Sequence, residues 1–295
     1  ILETEMKYLK KNLCSSDVVE TNFKSPGYRA AVVKEEEGMF PRSLEAYYQE
    51  AREKDWSQGL PRKGPVKVYF SGGANMMRRS NMPQYLKAFI WDEMACIVDI
   101  NPKYSFTGTT ADYILPAAGW YEKLGIKYTM SYVPYLHYCD VAVKPLAESK
   151  GEWEIFWLLT REMERYAKEK NLPVLDGCGR GPNDFKTLHQ RYTNHGALGQ
   201  HDDAKVMKEI LHGDATEGMT IEGLEQTGIA KFTSAGKPVA ADAINNPDWK
   251  GEGVMTTLTR FTVHKEPWPT YSGRATTFID HPWFIEMREQ FPIHK

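Results

Sequence analysis

Apolar positions along this chain switch between two spacings, and the switch predicts its elements. VKVYF (Val66–Phe70), ACIVDI (Ala95–Ile100) and DYILPA (Asp112–Ala117) are short apolar, β-branched runs, the signature of buried strands. Between and after them the period lengthens to that of a helix. MPQYLKAFIWDEM (Met82–Met94) and EWEIFWLLTREMERYAKEKN (Glu152–Asn171) carry apolar residues on one face and polar residues on the other. Alternation of strand and helix predicts an α/β fold: an open, mostly parallel sheet with helices on both faces.

Outside that block the pattern loosens. LEAYYQEAREKDW (Leu44–Trp56) reads as a helix with a charged face. DDAKVMKEILHG (Asp202–Gly213) has an acidic start and a glycine stop, and MTIEGLEQTGI (Met219–Ile229) reads as a turn followed by a helix. RFTVH and YSGRATTFID, near the end, read as strands. The chain divides accordingly into 1–63, an α/β domain over 64–171, an irregular, helix-rich insertion over 172–260, and a terminal segment over 261–295.

Composition narrows the class. The 295 residues are 41% hydrophobic and 26% charged, with a formal net charge of −2. Near-neutral charge supplies no electrostatic footprint for nucleic acid. No apolar run approaches the ~20 residues of a membrane-spanning helix, so no direct membrane insertion is expected. Cys14, Cys96, Cys139 and Cys178 are scattered and form no CxxC, so no zinc or iron–sulfur site is encoded locally. The histidines show no HxH or HExxH spacing, no metal ligand is assigned, and no residue stands out as catalytic.

Candidate chemistry gathers at the carboxyl ends of the strands, where open α/β sheets bind ligands. FSGGAN (Phe70–Asn75) places a glycine pair after the first strand, letting backbone approach a ligand closely. Asn75 and Asn101 follow consecutive strands. Two carboxamides there could read a base edge, or could cap turns. Lys123 closes the run GWYEK, with Glu122 beside it as a pairing partner, and Glu152 opens the long helix, where a carboxylate is favoured. YTMSYVPYLHY (Tyr128–Tyr138) is dense in aromatics, suited to a buried interface or an apolar pocket wall. A nicotinamide dehydrogenase is disfavoured, because GxGxxG is missing.

The stretch Thr110–Lys123 (TADYILPAAGWYEK) resembles a signature of the molybdopterin oxidoreductases of the dimethyl sulfoxide reductase family. The resemblance continues in ESKGEWEIF (Glu148–Phe156) and PWPTYSGRATTFIDHPWF (Pro267–Phe284). It points to the nitrate reductase-like branch, which includes oxyanion reductases, dimethyl sulfide dehydrogenase, and ethylbenzene and steroid dehydrogenases. It implies a molybdenum bis(molybdopterin guanine dinucleotide) cofactor contacted by Asn75, Asn101, Lys123 and Glu152. Asn101 stands where relatives usually carry an aspartate for guanine, and Glu152 where an aspartate is frequent. An iron–sulfur cluster is expected in an N-terminal part outside this chain, whose ends look like cuts through a longer polypeptide, and 261–295 would lead into a C-terminal β-barrel domain.

The resemblance further implies an iron–sulfur electron-transfer subunit, a haem b subunit as an additional partner, a small-molecule substrate, and a periplasmic address. The aromatic run Tyr128–Tyr138 favours a hydrocarbon or steroid C–H hydroxylating dehydrogenase. The alternatives are an oxyanion reductase acting on nitrate, selenate or perchlorate, and a non-catalytic nucleotide-binding or scaffold module.

Overall fold

The computed structural model describes residues 41–54, 67–79, 83–92, 94–128, 134–176, 182–234, 246, 248–253, 256, 258–268, 273–275, 277–279 and 281–291. Helix α1 (Leu44–Glu53) precedes strand β1 (Val68–Gly72). Two short helices, α2 (Met76–Arg79) and α3 (Pro83–Leu86), cross over to β2 (Cys96–Asn101), the second running on into a π-turn at Lys87–Trp91. Strand β3 (Tyr113–Pro116) follows. The three strands form a parallel sheet in the order β1-β2-β3, with Ser71 opposite Asp99 and Asn101 opposite Pro116.

Helices cover both faces, because the strand period of two sends alternate β2 side chains to opposite sides. Val98 and Ile100 pack with Ala117 and with Ile155 of the long helix α4 (Glu152–Glu169). Ile97 packs on the other side with Met77 and Trp91. The π-turn brings Trp91 inward, and its indole N–H donates to the Thr110 carbonyl at 3.1 Å. Only the central strand is buried throughout from Ile97 to Ile100. β1 is an edge, so Val68 and Phe70, read from sequence as buried, remain 51% and 42% exposed.

A second sheet lies outside what the sequence predicted. β4 (Gly125–Tyr128) and β5 (Tyr135–Cys139) pair antiparallel. A two-residue ribbon follows, β6 (Leu175–Asp176) with β7 (Pro182–Asn183), then helices α5 (Leu188–Tyr192), α6 (Asp203–Ile210) and α7 (Ile221–Thr227). β8 (Ile229–Lys231) returns to pair with β5. Leu136 of β5 shares a buried core with Met207, Leu211, Ile221 and Leu224. Residues on both sides of position 171 therefore build one core.

The terminal segment differs from expectation. RFT of RFTVH lies in a short helix, α8 (Thr259–Thr262), in which Phe261 stacks on Trp268 with centroids 4.4 Å apart. YSGRATTFID falls partly outside the described residues and shows no strand within them. The next element is α9 (Pro282–Glu286), with His281 accepting from the Trp283 N–H at its start. Among the described residues no barrel begins here. Instead Glu286 takes Arg42 at 2.8 Å and the Trp283 indole donates to Glu50 at 2.9 Å, pinning α9 to α1.

Cys96 and Cys139 are half-buried free thiols, while Cys14 and Cys178 lie outside the described residues. No helix among the described residues is long and apolar enough to cross a membrane.

Candidate cofactor-binding site

The site starts with the turn after β1. Gly73 adopts a φ of +64°, and a side chain added at Gly72 or Gly73 would meet nothing within 4 Å. Backbone is therefore open to a ligand where the parallel strands end. The Gly73 N–H donates to the Ile100 carbonyl at 2.9 Å, binding this turn to the end of β2. The Ser71 hydroxyl donates to the Ala74 carbonyl at 2.9 Å and sharpens the turn.

Asn75 and Asn101 stand at the ends of neighbouring strands, as the spacing predicted. Asn75 Oδ1 accepts from the Thr107 hydroxyl at 3.0 Å and from the Arg78 N–H at 3.3 Å. Among the described residues nothing accepts from Asn75 Nδ2, which leaves its two N–H donors for a ligand. Asn101 Oδ1 accepts from the Lys103 N–H at 3.3 Å, with one lone pair to spare. Both turn-capping and base-reading uses are thus compatible with the same side chains.

Lys123 and Glu152 are in direct contact. The chain before α4 runs beside β3, with Lys150 N–H donating to the Pro116 carbonyl at 3.1 Å and Ala118 N–H to the Lys150 carbonyl at 2.8 Å. That bridge delivers the first residue of α4 to Lys123, whose ammonium donates to Glu152 Oε1 at 2.6 Å. Lys123 also lies 5.0 Å from the centroid of the Trp120 ring. Glu122, expected to pair with a lysine, instead accepts from the Gly119 N–H at 2.7 Å and shapes the turn carrying Trp120.

Sequence reasoning missed Asp99. It lies on β2 beneath the turns and has no exposed surface. Its Oδ2 is 3.4 Å from the Ser105 hydroxyl, and its Oδ1 has no partner. Burial pushes its carboxyl above the ordinary range, against the polar neighbours Ser71, Ser105 and Asn101 that pull it down. The signal was available: an acid in the middle of the apolar run IVDI. Thr107, also fully buried, was missed because a threonine in a loop carries no such mark.

These residues suit the nucleotide end of a dinucleotide cofactor. They supply open glycine backbone, carboxamide donors and an ammonium group, and no cluster of three or more His, Cys, Asp or Glu among the described residues could hold a metal ion. The described part of Tyr128–Tyr138 is divided between surface and core, with Tyr135 36% exposed. Leu136 and Tyr138 face the core of the second sheet, the Tyr138 hydroxyl donates to Glu225 at 2.9 Å, and residues 129–133 lie outside the described residues.

The fold defines an α/β protein with open backbone and polar side chains at its strand ends, and residues 21–162 match the family profile described as molybdopterin oxidoreductase. The chain belongs to that family. It is 30% identical over 258 residues to the perchlorate reductase alpha subunit of Dechloromonas aromatica, covering 85% of this chain and 26% of that protein. It is 29% identical to the respiratory nitrate reductase alpha subunit of Haloferax mediterranei, covering 70% and 21%. It is also 29% identical to the dimethylsulfide dehydrogenase alpha subunit of Rhodovulum sulfidophilum, covering 79% and 25%. The chain thus spans about a quarter of the length of these relatives. The solved acetylene hydratase from Pelobacter acetylenicus aligns with a TM-score of 0.39 at 17% identity, over 79% of this chain and 24% of that one. None of these names carries C–H hydroxylation, and the expected hydrocarbon or steroid dehydrogenase is unsupported.

Proposed function

We propose that this chain is part of the catalytic subunit of a molybdenum–pterin oxidoreductase that reduces an inorganic oxyanion. The observation that carries the reading is Asn75 and Asn101 at the ends of neighbouring parallel strands, with Lys123 in the turn region after the third, in a chain of this family. The oxyanion is favoured because perchlorate, nitrate and chlorate reductases stand among the relatives. Oxidation of a small sulfide is the second reading, favoured by the dimethylsulfide dehydrogenase relative.

When bound, the cofactor supplies two-electron oxygen-atom transfer at molybdenum. The residues of this chain bind and orient its nucleotide tail, taken here as a guanine dinucleotide. Asn75 Nδ2 donates to the base or ribose, and the spare lone pair of Asn101 Oδ1 accepts one base N–H where a carboxylate would accept two. Lys123, which Glu152 pairs in the absence of ligand, would meet phosphate. The alpha-subunit names of the relatives support further subunits. We assign an iron–sulfur electron-transfer subunit to that role, with a haem b subunit beyond it, an iron–sulfur cluster elsewhere in the same polypeptide, and a periplasmic location. The start of a cofactor-binding domain at residue 64, with 261–295 as a connection onward, belongs to the same proposal.

The test is calorimetric titration of the chain with GDP. Saturable binding that Asn75→Ala and Lys123→Ala each weaken supports the reading. Absence of GDP binding, or binding indifferent to both substitutions, overturns it. Nitrate, perchlorate and dimethyl sulfide turnover by the native complex separates the two substrate classes.

A further inference from the structure

The outer face of the second sheet has no role in the site described above. Its inner row, Ile126, Leu136, Tyr138 and Ala230, packs against the helices. Period two sends Lys127 and His137 to the other side, directly opposite one another on β4 and β5, with Ile229 next in line on β8. Both Lys127 and His137 are exposed. Lys231 stands diagonally beyond, opposite Tyr135.

A lysine ammonium on a strand face gains from an opposite charge directly across the ladder. Among the described residues no carboxylate takes that place for Lys127: His137 stands there instead. The acid nearest in sequence, Asp140, turns Oδ1 to the Val141 N–H at 2.7 Å, and Glu225 is held by Tyr138 from the inner side. Lys231 reaches the Gly253 carbonyl at 2.9 Å and the Trp249 ring at 5.3 Å rather than an acid. By contrast Lys123, Lys168 and Lys205 each have a carboxylate partner.

The face is also continuous with the candidate cofactor site. Trp120, 53% exposed, has Lys123 Nζ at 5.0 Å from its centroid and Lys127 Nζ at 4.7 Å. One indole therefore links the ammonium at the strand ends to the ammonium on the sheet face. Successive strands are about 5 Å apart, so Lys127 and His137 bracket a gap of phosphoryl size.

We propose that Lys127 and His137 bind the phosphoryl groups of the nucleotide whose base lies at Asn75 and Asn101, so that the anion site runs from Lys123 across Trp120 onto the face of β4 and β5. The proposal rests on the nucleotide-binding reading above. It adds two ligands and fixes the direction in which the diphosphate leaves the strand ends, towards the second sheet.

The experiment titrates the chain with GDP, guanosine and inorganic pyrophosphate, in the wild type and in the Lys127→Gln/His137→Gln double variant. Both positions are exposed, so folding is retained and is verified by circular dichroism. Lys208→Gln, an exposed lysine on α6, controls for net charge. The double variant is expected to weaken GDP and pyrophosphate roughly tenfold or more, the worth of a charge-assisted hydrogen bond, and to leave guanosine unchanged. GDP binding that is lost in Asn75→Ala but unchanged in the double variant overturns this proposal and leaves the nucleotide site standing. Pyrophosphate binding that depends on Lys127 and His137 without any GDP or guanosine selectivity keeps the anion face and overturns the base site. No binding of either phosphate ligand overturns both, and leaves the face to an acidic protein segment.

Discussion

Thr107 holds Asn75 from 32 positions further along the chain: its hydroxyl donates to Asn75 Oδ1 at 3.0 Å, and the same oxygen accepts the Met77 N–H at 3.2 Å. Thr107 is fully buried, so Thr107→Val strands the Met77 N–H at about 1–3 kcal/mol and leaves Asn75 Oδ1 with only the Arg78 N–H. It also frees Asn75 to rotate. The expected outcome is a lower urea midpoint and weaker GDP binding, with both restored by Thr107→Ser. A valine variant that binds GDP as the wild type does would remove Thr107 from the site.

Asp99 makes stability depend on pH in an unusual direction. Its ordinary value is 3.8, and burial raises it in the fold. The protonated form is therefore favoured by folding. That contribution is fully present below the unfolded value and is lost as pH rises through the folded value. Asp99→Asn is neutral throughout, so its stability relative to the wild type is expected to climb as pH rises above 3.8 through the raised folded value. Denaturation midpoints across that range measure it, and parallel curves for the two proteins would refute it. Gly108→Ala tests the same pocket sterically, because its methyl group would lie 3.0 Å from Asp99 Oδ2.

Glu164 titrates with the opposite sign. It is buried on α4 and accepts from the backbone N–H groups of His189 at 2.7 Å and Gln190 at 3.1 Å, and from Lys168 at 2.6 Å. Burial works against its charge, but Lys168 and the two backbone donors outweigh it and hold the carboxyl below its usual 4.5. Stability from this group is present above 4.5 and lost as pH falls through the folded value. Glu164→Ala strands two N–H donors where α5 joins α4, at about 1–3 kcal/mol. The loss is expected near neutral pH and should shrink in acid; a pH-independent loss would mean packing alone is involved.

The parallel sheet and its strand-end residues were legible because local pattern and tertiary role agree there. β2 is central, so its apolar run reads as buried and is buried. Asn101 closes β2 and Asn75 lies three residues past β1, so position along the chain places both near strand ends. The second sheet was hidden because β5 offers one strongly apolar inward residue, Leu136, and pairs with β8 about 90 positions away, as Leu136↔Ala230 shows. RFTVH was misread because β-branched residues favour strands only as a weak prior. The stacking of Phe261 on Trp268 and the Thr259 hydroxyl bond to Asn246 Oδ1 at 2.7 Å override it.

The pair Lys123–Glu152 makes the last prediction, because the two residues act in opposite senses on an anion. Glu152 is 51% exposed while Lys123 is 14% exposed, so the lysine is the more buried partner of the pair. An exposed carboxylate contributes at most about 1 kcal/mol to stability in such a pair. Towards an incoming phosphate it is a competitor for the same ammonium. Lys123→Gln is therefore expected to weaken pyrophosphate binding, and Glu152→Gln to tighten it with little change in unfolding midpoint. Both differences should fade with added salt, since screening at about 0.15 M acts over roughly 8 Å. Titrations at low and physiological ionic strength measure this. If Glu152→Gln weakens binding as much as Lys123→Gln does, the carboxylate orients the lysine rather than competing for it, and the site requires the ion pair intact.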